Sequence, residues 1–189
     1  DESGRSVFVV TGQGGFLESK DGGKSWRVVR WFPDGVIRLI SDSRSSSTLY
    51  LLTPRGKMFK TVDRGNTWTD LTSRFDSFDK SRRNQNLVLD RLNGALYLGS
   101  DYGLLRSRDG GFSWDRVTVI IPPEALPVLT TAVHPFDSRT FFISAKSQIY
   151  KTEDGGTIWS IVATPTNRRI TKLIIDEKNP ATIYLVSNR

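Results

Sequence analysis

Four aspartates occupy the same place in four copies of one eight-residue stretch: Ser19-Lys-Asp21-Gly-Gly-Lys-Ser25-Trp26, Thr61-Val-Asp63-Arg-Gly65-Asn-Thr67-Trp68, Ser107-Arg-Asp109-Gly-Gly-Phe-Ser113-Trp114 and Thr152-Glu-Asp154-Gly-Gly-Thr-Ile158-Trp159. A carboxylate flanked by hydroxyls can act as a general acid or base, hold a metal, or fold a turn around itself. Recurrence decides among these. Asp21, Asp63, Asp109 and Asp154 step by 42, 46 and 45 residues, as do Trp26, Trp68, Trp114 and Trp159, and a reacting centre is not written once per unit of an array. As a hairpin tip the stretch makes physical sense. The short Asp accepts backbone N–H bonds from residues a few places on, Gly supplies positive φ, and the Trp opens the outgoing strand with a large apolar face. All eight residues are read as structural.

Other catalytic chemistry is thinly represented. A Ser-His-Asp site would have to use His134, the only histidine, and His134-Pro135-Phe136-Asp137 reads as a turn. The absence of cysteine removes thiol catalysis, disulfides and Cys-ligated zinc. No catalytic residue, metal or cofactor is expected. Carboxylates worth naming for glycoside hydrolysis are Asp34, Asp76, Asp79, Asp101 and Glu124. Glycoside hydrolysis is thus the one enzymatic alternative kept.

The elements that position these residues are short β-branched and aromatic runs. Ser6–Thr11 and Phe16–Ser19 lead into the first copy, and Arg27–Trp31 leaves it. Each later unit then runs strand, polar turn, apolar strand, turn, strand ending in the repeated stretch, and outgoing strand. The second unit has Val36–Ser41, Thr48–Thr53, Lys57–Thr61 and Thr67–Thr72. The third has Asn86–Asp90, Ala95–Ser100, Leu104–Ser107 and Ser113–Val119, and the fourth has Leu129–Val133, Thr140–Ala145, Gln148–Thr152 and Ile158–Thr164. Ile170–Asp176 and Thr182–Ser187 begin a fifth. Four antiparallel strands per unit at this period predict an all-β fold, a β-propeller of about four blades in a single domain over 1–189. Its ends either close a small ring or leave a partial ring completed by homo-oligomerisation.

The pattern [ST]-x-D-x-G-x-[ST]-W, at 19–26, 61–68, 107–114 and 152–159, resembles the Asp-box, or BNR, repeat. Sialidases, some glycoside hydrolases, sortilin-type receptors and the photosystem II stability/assembly factor-like proteins carry that repeat. The resemblance spans the chain, and Asp176-Glu-Lys-Asn-Pro180-Ala-Thr-Ile-Tyr184-Leu is most similar to the assembly-factor branch. One departure is Ile158, where a hydroxyl residue belongs, so a looser last hairpin is expected. The resemblance implies a β-propeller and an extracytoplasmic location. The Arg-Ile-Pro-type motif of sialidases is missing.

If the boxes join third and fourth strands, they share a face with the first-to-second turns, and the blade-to-blade connections share the other face with the second-to-third turns. That second face collects Arg30, Arg55, Arg74, Lys80, Arg82, Arg83, Arg168 and Arg169, interleaved with Trp31, Phe32, Phe75, Phe78 and Tyr102. Charge agrees: 27 basic against 20 acidic residues give +7, and arginine, twice as frequent as lysine, presents a planar fork suited to carboxylates and aromatic faces. A solvated basic surface is the bland alternative. The favoured reading is a non-enzymatic scaffold that binds a protein partner, acidic or membrane- or surface-associated. Arg30, Trp31, Arg55, Arg82, Arg83, Tyr102, Arg168 and Arg169 would form its binding face. Carbohydrate stacking on Trp31, Phe32 and Tyr102 is the second reading. Nucleic acid is set aside because no recognition motif accompanies the charge.

Overall fold

The computed structural model describes residues 5–122 and 127–188. The chain forms two compact units, divided between Ser73 and Arg74. In the first, β1 (Val7–Val10), β2 (Gly15–Ser19) and β3 (Arg27–Trp31) make a three-stranded sheet, and β4 (Arg38–Asp42), β5 (Ser45–Leu52), β6 (Met58–Thr61) and β7 (Thr69–Asp70) a four-stranded one. A single 3₁₀ turn, Thr72–Phe75, leads onward. The second unit holds β8 (Asn86–Leu89), β9 (Leu96–Ser100), β10 (Gly103–Ser107) and β11 (Asp115–Val117), then β12 (Thr130–His134), β13 (Asp137–Ala145), β14 (Gln148–Thr152) and β15 (Ser160–Val162), then the pair β16 (Arg169–Ile175) and β17 (Ile183–Asn188). Every sheet is an antiparallel meander in chain order. These are the blades of a β-propeller.

The second strand of each full blade is buried on both sides, as a strand between two packed neighbours must be. Leu49–Leu52, Leu96–Ser100 and Phe141–Ala145 are continuous buried runs. In the first unit Phe16 packs edge-on to Trp68 at 5.3 Å, and Phe32, Val36, Leu49 and Leu51 complete the layer. In the second, Tyr97, Leu104 and Val117 meet Phe141, Ile143 and Trp159. Phe142 and Ile149 cover Ile170, Leu173 and Ile175 in turn. Phe32 and Phe75, expected on the binding face, are core residues. Each caps an apolar layer beside a box tryptophan: Phe32 meets Trp68 and Phe75 meets Trp114, both edge-on.

The boxes fold as expected. In the first copy Asp21 Oδ1 accepts the Ser25 N–H at 2.9 Å and Oδ2 accepts its hydroxyl at 2.6 Å, while Ser19 Oγ donates to Asp21 and accepts the Gly23 N–H. Asp63 and Asp109 repeat the pattern. The hydroxyl and N–H of Ser25 hold Asp21 down to about 2, and those of Thr67 do the same for Asp63. Burial opposes the shift at Asp109, but Ser113 still brings it to about 2. The last hairpin is not opened by Ile158. Its N–H donates to both oxygens of Asp154 at 3.0 Å, and that bond leads the causes lowering the Asp154 pKa.

Two refinements concern the tryptophans. Each sits immediately before the outgoing strand, because its indole N–H is tied to the carbonyl of the box glycine three residues back. Arg27–Trp31 forms over the residues the sequence predicts, and the other three outgoing strands are shorter than predicted. Their environments also differ: Trp114 and Trp159 are 7% and 9% exposed, Trp26 42%.

The glycine two after the box Asp has, in two copies, a steric duty besides its positive φ. A Cβ on Gly65 would overlap the Phe16 ring, and one on Gly156 would lie 2.8 Å from Val117, whereas a Cβ on Gly22 meets nothing. Gly22→Ala should cost about 1 kcal/mol, the strain of a left-handed Ala. Gly65→Ala should cost about 2–4 kcal/mol, because overpacking is added; urea unfolding of the two variants measures both. The boxes also set acid stability. Their carboxylates are depressed on folding, so the stability they confer is complete above the ordinary Asp pKa and lost as pH falls through the folded value. A melting-temperature profile from pH 6 to 2 should hold steady to about pH 4 and fall steeply between 4 and 2.

Candidate binding face

The two ends of the blades have different chemistry. At the box end, in three of the four copies the residue after the box Asp donates its N–H to a carbonyl in or just before a neighbouring strand: Gly22 to Arg5, Arg64 to Ser47 and Gly155 to Arg139, at 2.9–3.0 Å. The first-to-second turns at this end form a second aspartate series that the sequence reading did not pick out. Asp42, Asp90, Asp137 and Asp176 each accept the N–H two residues on, at 2.8–3.0 Å. Their spacing to the next box varies, which hides them from a fixed-period search. Arg44 lowers the pKa of Asp42, and the Thr140 hydroxyl that of Asp137. His134 belongs here too, its Nδ1 accepting the Phe136 N–H at 3.2 Å within its own turn.

At the other end of the first unit, the β3–β4 connection lies against the β5–β6 turn. Asp34 pairs with Lys57 at 2.7 Å and with Arg55 at 3.2 Å, and the Lys57 bond chiefly lowers its pKa. The Arg30 guanidinium lies 5.4 Å over the Phe32 ring, and Trp31 is 55% exposed. Arg30, Trp31 and Arg55 thus come to one end of this unit.

The corresponding end of the second unit is built on the long 74–85 connection. It lies on the β9–β10 turn: Phe78 meets Tyr102 edge-on at 5.2 Å, Asn84 Nδ2 donates to Asp101 Oδ1 at 2.7 Å, and the Asp101 N–H reaches the Arg83 carbonyl. Arg82 is bound through two nitrogens to Asp76, with Nε–Oδ1 2.6 Å. Arg83 is exposed, and among the described residues its guanidinium has no carboxylate partner. Arg82 and Arg83 therefore line a small open pocket, with Phe78 between it and Tyr102. Arg168 and Arg169 form a second basic cluster, exposed beside the β13–β14 turn, where Ile170 N–H meets the Lys146 carbonyl and Thr164 Oγ1 the Ser147 carbonyl. The carboxylates named for hydrolysis are mostly engaged: Asp34 and Asp76 by cations, Asp101 by Asn84. Glu124 lies outside the described residues.

One further series went unread in the sequence. The residue three before the box Asp is a cation in three copies, and it stands directly across the strands from an aromatic: Lys60 from Tyr50, Arg106 from Tyr97, Lys151 from Phe142. Lys60 and Lys151 lie 5.5 and 5.9 Å above their rings. The first copy substitutes Glu18, which binds Arg27.

Comparison with known proteins places this geometry. Over 90 residues the chain is 31% identical to a vacuolar protein sorting/targeting protein 10 from Verticillium alfalfae, a match covering 47% of this chain and 6% of that much longer protein. A GH74 enzyme from Niastella koreensis superposes with a TM-score of 0.71 at 22% identity, over 98% of this chain and 32% of that one. YCF48 bound to a D1 peptide superposes with a TM-score of 0.51 at 14% identity, over 98% and 72%. At such identities the structures establish the β-propeller fold. The family follows from sequence: residues 39–184 match the family described as photosynthesis system II assembly factor YCF48, and this BNR-type chain belongs to it.

Proposed function

We propose that the chain is a non-enzymatic, extracytoplasmic scaffold that binds an acidic segment of a protein partner through the loop end of its blades. The observation that carries this reading is the packing of the 74–85 connection on the β9–β10 turn, which ties the Arg83 backbone to the residue before Tyr102. Arg168 and Arg169 extend the basic surface of the same unit, and the first unit has its own basic loop end at Arg30, Trp31 and Arg55. Arginines with aromatic anchors are the mix that dominates interface energetics. Charged rims set encounter rate and partner choice more than raw affinity. A member of the family bound to a D1 peptide supports a peptide partner, and the vacuolar sorting relative supports placement outside the cytoplasm.

A carbohydrate reading is kept for one reason, the exposed face of Trp31 on a fold shared with a GH74 enzyme. A single titration series separates the two. A fluorescein-labelled dodecapeptide of Glu and Leu should bind the protein saturably and lose about tenfold in affinity between 50 and 300 mM NaCl, as screening shortens the reach of exposed charges. Arg83→Glu with Arg168→Glu should weaken it by a further tenfold or more, with an unchanged circular dichroism spectrum. Peptide binding that ignores both salt and the double substitution refutes the reading. Salt-insensitive retention of xyloglucan oligosaccharides, lost in Trp31→Ala, establishes the carbohydrate alternative.

A further inference from the structure

At the box end of the second unit, an open groove of about 560 Å³ runs between β9–β10 and the fourth box. Arg106, Arg108 and Arg139 line it, with Tyr97, Ser138 and Thr157. The Arg106 guanidinium bridges two blades, its Nη1 donating to the Gly155 carbonyl at 3.0 Å. The N–H of the same Gly155 is held by the Arg139 carbonyl. Arg106 Nε is buried and has no hydrogen-bond partner among the described residues. A buried donor on a cation is costly to leave unmatched, so it marks a place where an acceptor is wanted.

The other two arginines are loosely held. Arg108 stands 3.7 Å from Asp115 and Arg139 Nε 3.7 Å from Asp137, beyond hydrogen-bond reach, and both side chains are largely exposed. The acidic groups nearby are committed elsewhere. Asp154, which also lines the groove, accepts from the Thr152 hydroxyl and the N–H groups of Thr157 and Ile158, and Asp137 accepts from Arg139 N–H and the Thr140 hydroxyl. The groove thus offers three guanidinium groups and the hydroxyls of Ser138 and Thr157 as donors, while the Tyr97 hydroxyl is already hydrogen-bonded to Arg106 and the one lining carboxylate is already satisfied.

We infer that this groove is a site for a tetrahedral oxyanion, sulfate or phosphate, distinct from the loop-end surface and independent of its function. Planar guanidinium forks bind such oxygens in pairs, and neutral hydroxyls complete the shell. The groove is larger than the ion alone fills, so it accommodates the anion as an ester on a sugar-sized carrier. Binding also bridges Arg106 and Arg108 of the third blade to Arg139 of the fourth, and so stiffens the joint between them.

The test is proton–nitrogen NMR of the arginine Nε–H groups in the full chain. Sodium sulfate, sodium phosphate, glucose 6-sulfate and glucose 6-phosphate are titrated in turn against sodium chloride of equal ionic strength. The expected result is a saturable shift of the Arg106 Nε–H, identified by its disappearance in Arg106→Lys, absent with chloride. Arg108→Ala with Arg139→Ala changes only exposed side chains and should raise the midpoint at least fivefold. A tighter midpoint for the esters assigns the carried form, and equal midpoints assign the free ion. No saturable shift by 50 mM of any of the four anions, or a midpoint unmoved in the double variant, overturns the proposal.

Discussion

A carboxylate that folds its own turn is the interaction on which the rest of the molecule depends. In each box one aspartate gathers the N–H four residues on, in the last two copies also the N–H three residues on, and, except in the last copy, a following hydroxyl. That local closure sets the glycine two after the Asp at positive φ and fixes its carbonyl to receive the indole N–H of the tryptophan. The ring is thereby aimed across the blade. Where it lands, on Phe16 for Trp68 and on Phe141 for Trp159, the apolar layer between blades is completed. A side chain four atoms long thus positions a contact that joins whole sheets.

The two ends of the blades divide the labour. At the box end backbone and carboxylate groups are consumed by two aspartate series, which leaves little freedom for variation without loss of the hairpins. At the loop end the connections bury Phe32 and Phe75 but leave their arginines at the surface, and some of these are paired with carboxylates while, among the described residues, others are not. Asp34 and Asp76 take up Arg55, Lys57 and Arg82, while Arg83, Arg168 and Arg169 stay exposed. The Arg106 groove is the exception at the box end, a basic recess produced by the joint between two blades.

The fold was legible because its determinants are local and repeated. The box, its period and the apolar second strands can each be read from a few adjacent residues, and the strand positions followed from them. Ile158 was misjudged because a backbone N–H, which every residue but proline has, replaces the hydroxyl that the sequence lacks. Phe32 and Phe75 were placed on the surface because they sit in connections. Burial there is decided by which ring of the neighbouring strand or box lies opposite, and no periodicity records that. The cross-strand pairs Tyr50–Lys60, Tyr97–Arg106 and Phe142–Lys151 depend on register, which the sequence shows only once both strands are aligned to the box. The loop-end clusters were legible in composition, but their division into Arg82–Arg83 and Arg168–Arg169 is a matter of geometry.

The division between a structural end and a binding end is tested most directly by hydrogen–deuterium exchange of the full chain with and without a saturating Glu-rich peptide. Protection confined to 74–85, 100–103 and 164–169 is the result that a binding face at the loop end requires. Protection centred on the boxes at 19–26, 61–68, 107–114 and 152–159, with the loops unchanged, would contradict it.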